Sequence, residues 1–149
     1  MPAWRTWIAA FLAALSLGFG APASAQVPDP FARELAQKLT RVELTLSEQG
    51  YMRAAGPFPG GVATRESSAI PLSLRAGQEY SIVAVCDGRC VLDLRLLDPN
   101  GAAFARAAAG EGAWVMRVRP RLTGSHTVNV EAASCAAAQC WYAVNVYAR

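Results

Sequence analysis

The chain has 149 residues, 53% of them hydrophobic and 17% charged, with 14 basic and 11 acidic side chains and a formal net charge of +3. That length suits one domain with a real core, and the charge is too balanced for a nucleic-acid binder: Lys38 is the only lysine, and no dense basic run occurs. Four cysteines in two close pairs, Cys86 with Cys90 and Cys135 with Cys140, group the chain with disulfide-bonded exported proteins rather than with proteins of a reducing compartment.

Residues 1–25 read as a signal peptide. Arg5 supplies the positive charge, Ile8 to Phe19 a short apolar run, and Ala23-Ser24-Ala25 a small-x-small cleavage site. The run is shorter than the roughly 20 residues a membrane-spanning helix needs, and no cysteine follows it to carry a lipid anchor. Cleavage after Ala25 removes only Arg5 among the charged residues, so the mature chain stays mildly basic. No later segment suits membrane insertion, which predicts a periplasmic or secreted protein.

Residues 26–50 form the N-terminal helical region. Asp29 is the expected cap and Pro30 the first helical residue. Phe31, Leu35, Leu39, Val42 and Leu46 then recur every three or four residues as one apolar stripe, Glu34 and Lys38 can pair on the opposite side, and Gly50 marks the stop. The β-branched Val42 and Thr45 leave open an earlier end, with residues 42–46 as a strand. Residues 51–149 form the second region. Its first part, to Ser68, is rich in glycine and proline and reads as linker or irregular edge with at most one short strand.

From Ile70 the apolar period becomes two. Ile70, Leu72 and Leu74 alternate with polar or small residues, as do Leu92, Leu94 and Leu96. So do Trp114, Met116 and Val118, then His126, Val128 and Val130, then Tyr142, Val144 and Val146. The run Tyr80 to Cys86 is apolar on both sides. Turn signals separate these runs at Ala76-Gly77, Asp98-Pro99-Asn100-Gly101, Gly110 to Gly112 and Thr123-Gly124. With a further strand near Ala102 to Ala107, seven or eight strands predict an all-β, jelly-roll-like β-sandwich preceded by one helix. The alanine-rich stretches at 102–109 and 132–138 are expected as loop or edge.

The segment CDGRC, residues 86–90, poses the chemical question of the chain. A redox centre of the thioredoxin kind needs C-x-x-C at a helix start, and a zinc site usually has two-residue spacings; neither pattern is present. Residues flanking a tight loop can meet the Cα separation a disulfide needs. Local pairing, Cys86–Cys90 and Cys135–Cys140, is therefore expected, with cross-pairing between the two loops as the alternative.

Other candidates divide between chemistry and plain structure. Ser125 and His126 are strand neighbours on opposite faces, so they cannot act as nucleophile and base; the alternation points His126 inward. Asp87, Asp93, Asp98 and Asn100 are oxygen donors of the kind calcium takes, but residues 98–101 are also a complete turn signature. Arg117, Arg119 and Arg121, two apart, share one face of an extended chain and can grip an anionic glycan or an acidic partner, or simply solvate an edge. Trp141 and Tyr147 share a face that either stacks on sugar or packs beneath the helix.

From Leu74 onward the sequence resembles the bacterial pre-peptidase C-terminal (PPC-like) domain, in its cysteine-containing small exported form. The resemblance lies in Leu74-Arg75-Ala76-Gly77-Gln78-Glu79-Tyr80, a leucine-aspartate strand closed by Asp98-Pro99-Asn100-Gly101, and Pro120-Arg121-Leu122-Thr123-Gly124 before Val128-Asn129-Val130. It covers residues 55–148 and implies a jelly-roll-like sandwich with a role in targeting or binding. Two departures matter. Only a signal-like stretch and a helix are expected ahead of the domain, so the role of a peptidase tail does not carry over. His126 also stands where the pattern usually has tyrosine.

These readings predict an exported, non-enzymatic binding or accessory module for an envelope or extracellular protein or glycan. No catalytic residue, cofactor or metal is expected, and the partner's identity and the oligomeric state are not set by the sequence. The candidate binding face is Arg117, Arg119, Arg121, Trp141 and Tyr147. The competing readings are a structural, stress-protective homodimer, motivated by the two-sided apolar Tyr80 run, and a small hydrolase resting on Ser125, His126 and scattered acids.

Overall fold

The computed structural model describes residues 26–107 and 112–149. The expected signal peptide lies outside these residues, as do residues 108–111 of the expected alanine-rich loop and its glycine turn. Helix α1 spans Asp29–Glu48. It begins one residue earlier than the sequence suggests: Pro28 is the N-cap, with φ −60° and ψ 143°, and its carbonyl accepts the Phe31 and Ala32 amides at 3.0 Å. Proline's fixed φ suits that extended cap, and Asp29 in the first turn complements the positive helix end without capping it through its side chain.

The helix runs past Val42 and Thr45 because Leu46 is buried against the sheet and keeps the stripe in register. It closes at Gly50, whose φ of +83° suits glycine. The Tyr51 amide bonds back to the Leu46 carbonyl and the Gly50 amide to Ser47, both at 3.0 Å, which satisfies the last free carbonyls.

Eight strands follow: β1 Met52–Val62, β2 Ser67–Leu74, β3 Tyr80–Cys86, β4 Cys90–Leu97, β5 Ala103–Ala107, β6 Ala113–Val118, β7 Gly124–Cys135 and β8 Cys140–Ala148. They form two four-stranded antiparallel sheets, in the orders β1-β8-β3-β6 and β2-β7-β4-β5. The chain thus pairs as one long hairpin, β1 with β8, β2 with β7, β3 with β6 and β4 with β5, wound into a jelly roll.

The inward sets are those the alternation marks out. Ile82, Leu94, Val128 and Val144 are wholly buried between the sheets, joined by Trp114 and Met116 at the β6 edge. Each such side chain contributes roughly 1.5–3 kcal/mol. β3 is apolar on both sides because it has two partners: Ile82 and Ala84 face the other sheet, while Val83 and Val85 lie beneath α1 with Leu35, Leu39 and Tyr147. The chain's own helix therefore covers the outer apolar face that motivates a dimer.

Two expectations need correction. The glycine- and proline-rich stretch is not mainly linker: β1 is an eleven-residue strand along β8, with register shifts between Arg53 and Ala55 and between Ala55 and Phe58. An edge strand needs hydrogen bonds on one side only and so tolerates proline. Gly56 is required there, since its φ is +100° and a Cβ would lie 2.8 Å from the Val144 carbonyl oxygen. The alanine-rich 132–138 stretch is partly strand as well, because β7 continues to Cys135, with Ala132 wholly buried.

Candidate functional site

The sandwich has two unlike ends. At one, β3 stops at Cys86 and β4 starts at Cys90. At the same end β7 stops at Cys135 and β8 starts at Cys140, and Cys90 lies opposite Cys135 in the β4–β7 register. The structure pairs the cysteines locally, Cys86 with Cys90 and Cys135 with Cys140, at Cα separations of 6.4 and 5.8 Å. The sulfurs of Cys86 and Cys90 approach Asp87 closely enough for three metal ligands. Both are spent in one disulfide, so they do not offer a thiolate pair.

Asp87 instead organises the loop. Its side chain is fully buried. One oxygen accepts the Arg89 amide at 3.0 Å; the other accepts the Trp141 amide at 3.1 Å and the Arg89 guanidinium at 2.6 Å. Burial alone would raise the carboxyl, but the guanidinium and the two amides together hold it below the usual carboxylate range. Gly88, at φ +82°, makes the turn that lets Arg89 fold back.

This loop holds the start of the helix. Lys38 donates both to Glu34 at 2.7 Å and to the Cys86 carbonyl at 2.6 Å, so the expected Glu34–Lys38 pair lies at the loop margin rather than on a free outer face. Arg89 stands 4.6 Å from the Phe31 ring centre, and Phe31 stacks on Trp141 at 6.3 Å. Further along, the wholly buried Tyr147 receives a bond from Asn145 at 3.0 Å and donates to Glu43 at 3.4 Å. The aromatic half of the candidate binding face thus packs against α1: Trp141 is half-buried beside Phe31, and Tyr147 is closed off, level with Ser81 and Arg117 across the sheet.

At the opposite end, where β6 leaves its ladder at Val118 opposite Tyr80, the edge strands β5 and β6 border a groove of about 720 Å³. Arg117, Arg119 and Arg121 form one wall; Phe104, Leu122 and His126 supply the aromatic and apolar lining. Burial keeps alternating past the last ladder pair, exposed at Arg117, Arg119 and Arg121 and buried at Val118 and Pro120. The Gly77 amide holds this extension by donating to the Pro120 carbonyl at 2.9 Å.

Two of the arginines are positioned by neighbours. Arg117 donates to the Gln49 side chain at 2.7 Å, and Arg119 to Glu79 at 3.2 Å. A guanidinium has five N–H donors, so each keeps others for a ligand. Glu79 also accepts from Tyr51 and from two nitrogens of Arg149 at 2.9 and 3.1 Å. The Tyr51 hydroxyl first, then Arg149, lowers its carboxyl to about 2.

Phe104 and Leu122 are the site residues that sequence reasoning missed. Leu96 pairs with Ala105 and Leu97 with Ala103, which leaves Phe104 as an extra residue in a β-bulge. A bulge re-aims its side chain, and the Phe104 ring meets His126 edge-on at 5.8 Å. His126 is buried, as its alternation predicts, and its Nδ1 faces the Gly124 carbonyl at 3.0 Å. That contact calls for a proton on Nδ1, since a carbonyl oxygen only accepts. Ser125 is exposed, on the other side of β7.

The oxygen donors are dispersed. Asp98 accepts the Asn100 and Ala102 amides at 2.9 Å in its own turn, and Asp93 is gripped by Arg106, which lowers its carboxyl.

No family model matches the chain, and no curated protein does. The pre-peptidase C-terminal resemblance therefore rests on the residues quoted for it. Among solved structures, the chain is similar to PliG of Aeromonas hydrophila, a periplasmic lysozyme inhibitor of g-type lysozyme. The identity is 18% over 63% of this chain and 85% of that one, with a TM-score of 0.47.

Proposed function

We propose that the protein is an exported, non-enzymatic binding module that recognises an anionic group on its partner through the β5–β6 groove. The observation that carries this reading is the convergence of Arg117, Arg119 and Arg121 along one wall of a groove lined by Phe104 and Leu122. Guanidinium groups bind carboxylates or phosphates through paired hydrogen bonds. The exposed apolar surface beside them, Phe104 at 42% and Leu122 at 43%, adds contact area and shields those bonds from water. The two disulfides and the signal-like residues 1–25 support a periplasmic or secreted setting.

The test is a fluorescence-polarisation titration with labelled poly-glutamate and polygalacturonate at low ionic strength. Binding of at least one probe is expected, weakening as salt rises, with at least a tenfold loss in R117E/R119E/R121E. Equal binding by wild type and triple variant, or no binding of either probe, overturns the reading.

A further inference from the structure

The arginine wall also carries a spacing. Residues two apart on an extended chain are about 6.6 Å apart; Arg117 lies within β6, Arg119 follows its last residue, Val118, with the burial alternation unbroken, and Arg121 stands at the bend beyond Pro120. β6 ends its sheet, with β3 as its one hydrogen-bonded neighbour among the described residues, and β5 of the other sheet lies beside it across the groove. Resting on the binding reading above, we infer that the groove accepts an acidic segment of a partner protein as an added strand along β6, with a carboxylate at every second residue.

Three features favour a peptide over a glycan. An extended peptide repeats its side chains at the interval that separates Arg117 from Arg119, so successive carboxylates meet these two guanidiniums across the pair, the arrangement that stabilises opposite charges in sheets, while Arg121 at the bend reaches the end of the segment. The β6 backbone groups that do not pair with β3 offer main-chain hydrogen bonds that another backbone satisfies in register. The alternate, apolar side chains of such a peptide turn toward Phe104, Val118 and Leu122, which line the groove on the inner side. Arg117 and Arg119 are already held by Gln49 and Glu79, so ordering them on binding costs less side-chain entropy.

The experiment uses the oxidised protein and three probes: an acetylated heptapeptide alternating glutamate with valine, a peptide of the same composition with its glutamates contiguous, and polygalacturonate. Affinities come from calorimetry and β6 amide exchange from NMR. The alternating peptide should bind at least tenfold more tightly than the contiguous one and slow exchange of β6 amides that do not pair with β3. R117E/R119E/R121E should abolish both effects. Equal affinity for the two peptides, binding without amide protection in β6, or preference for polygalacturonate overturns strand addition and leaves the anionic groove standing. Failure of all three probes overturns both.

Discussion

The two ends of the sandwich solve opposite problems with the same residue types. At the cysteine end, Asp87 is buried and Arg89 folds back onto it, and both oxygens of the Asp87 carboxylate are spent on the chain itself. At the groove end, Arg117, Arg119 and Arg121 face outward, and the contacts to Gln49 and Glu79 steady two of them without exhausting them. A buried charge is costly to strip of its partner, whereas a surface pair stabilises little. One end should therefore govern stability and the other recognition. Substitutions should separate the two.

The largest stability effect is expected for Asp87→Ala. It leaves the Arg89 and Trp141 amides without their acceptor and releases the partly exposed Arg89 guanidinium, so unfolding in denaturant should show a loss of about 3 kcal/mol, with binding of an anionic probe unchanged under folding conditions. Replacing Cys86 and Cys90 by serine should cost about 2 kcal/mol, the value for closing so short a loop. A loss close to that of Asp87→Ala would mean the staple, not the carboxylate, organises the loop.

R117E/R119E/R121E should leave the denaturation midpoint nearly unchanged, with less than about 1 kcal/mol lost, while removing probe binding. A triple variant that fails to fold would erase the contrast between the ends. The smallest effect belongs to Glu79. Its carboxyl is lowered to about 2 in the folded protein, against about 4.3 for an unfolded chain. The folded state therefore holds this proton less tightly, and the stabilisation is complete above about pH 4.3 and is lost as pH falls toward 2. Glu79→Gln should flatten that segment of a melting-temperature profile; an unchanged acid limb would exclude Glu79 as its source.

The core of the sandwich is far easier to read in the sequence than either of its ends. Alternation located Ile82, Leu94, Trp114, Val128 and Val144 because burial on one sheet face leaves a period of two in the chain. The helix stripe was equally plain, and the close cysteine spacing implied local pairing. β1 escaped notice because Gly56-Pro57-Phe58-Pro59-Gly60-Gly61 carries no such period; only its place along β8 makes it a strand. The shared exposed side of Arg117, Arg119 and Arg121 follows from their two-residue spacing. Phe104 was not, because its direction depends on a bulge in the β4–β5 pairing. Trp141 and Tyr147 carried an ambiguity that periodicity cannot resolve: a shared apolar face reads the same under a helix as under a ligand. Asp87, considered as an oxygen ligand, binds amides of its own chain instead.

Backbone amide shifts recorded while the oxidised protein is titrated with an anionic probe test the account most directly. The account predicts shifts grouped at residues 98–105, 117–122 and 126, reaching Gln49 through Arg117, with the Cys86–Cys90 loop and the first turns of α1 unmoved. Shifts centred on Phe31, Arg89 and Trp141, at the stapled end, would contradict it.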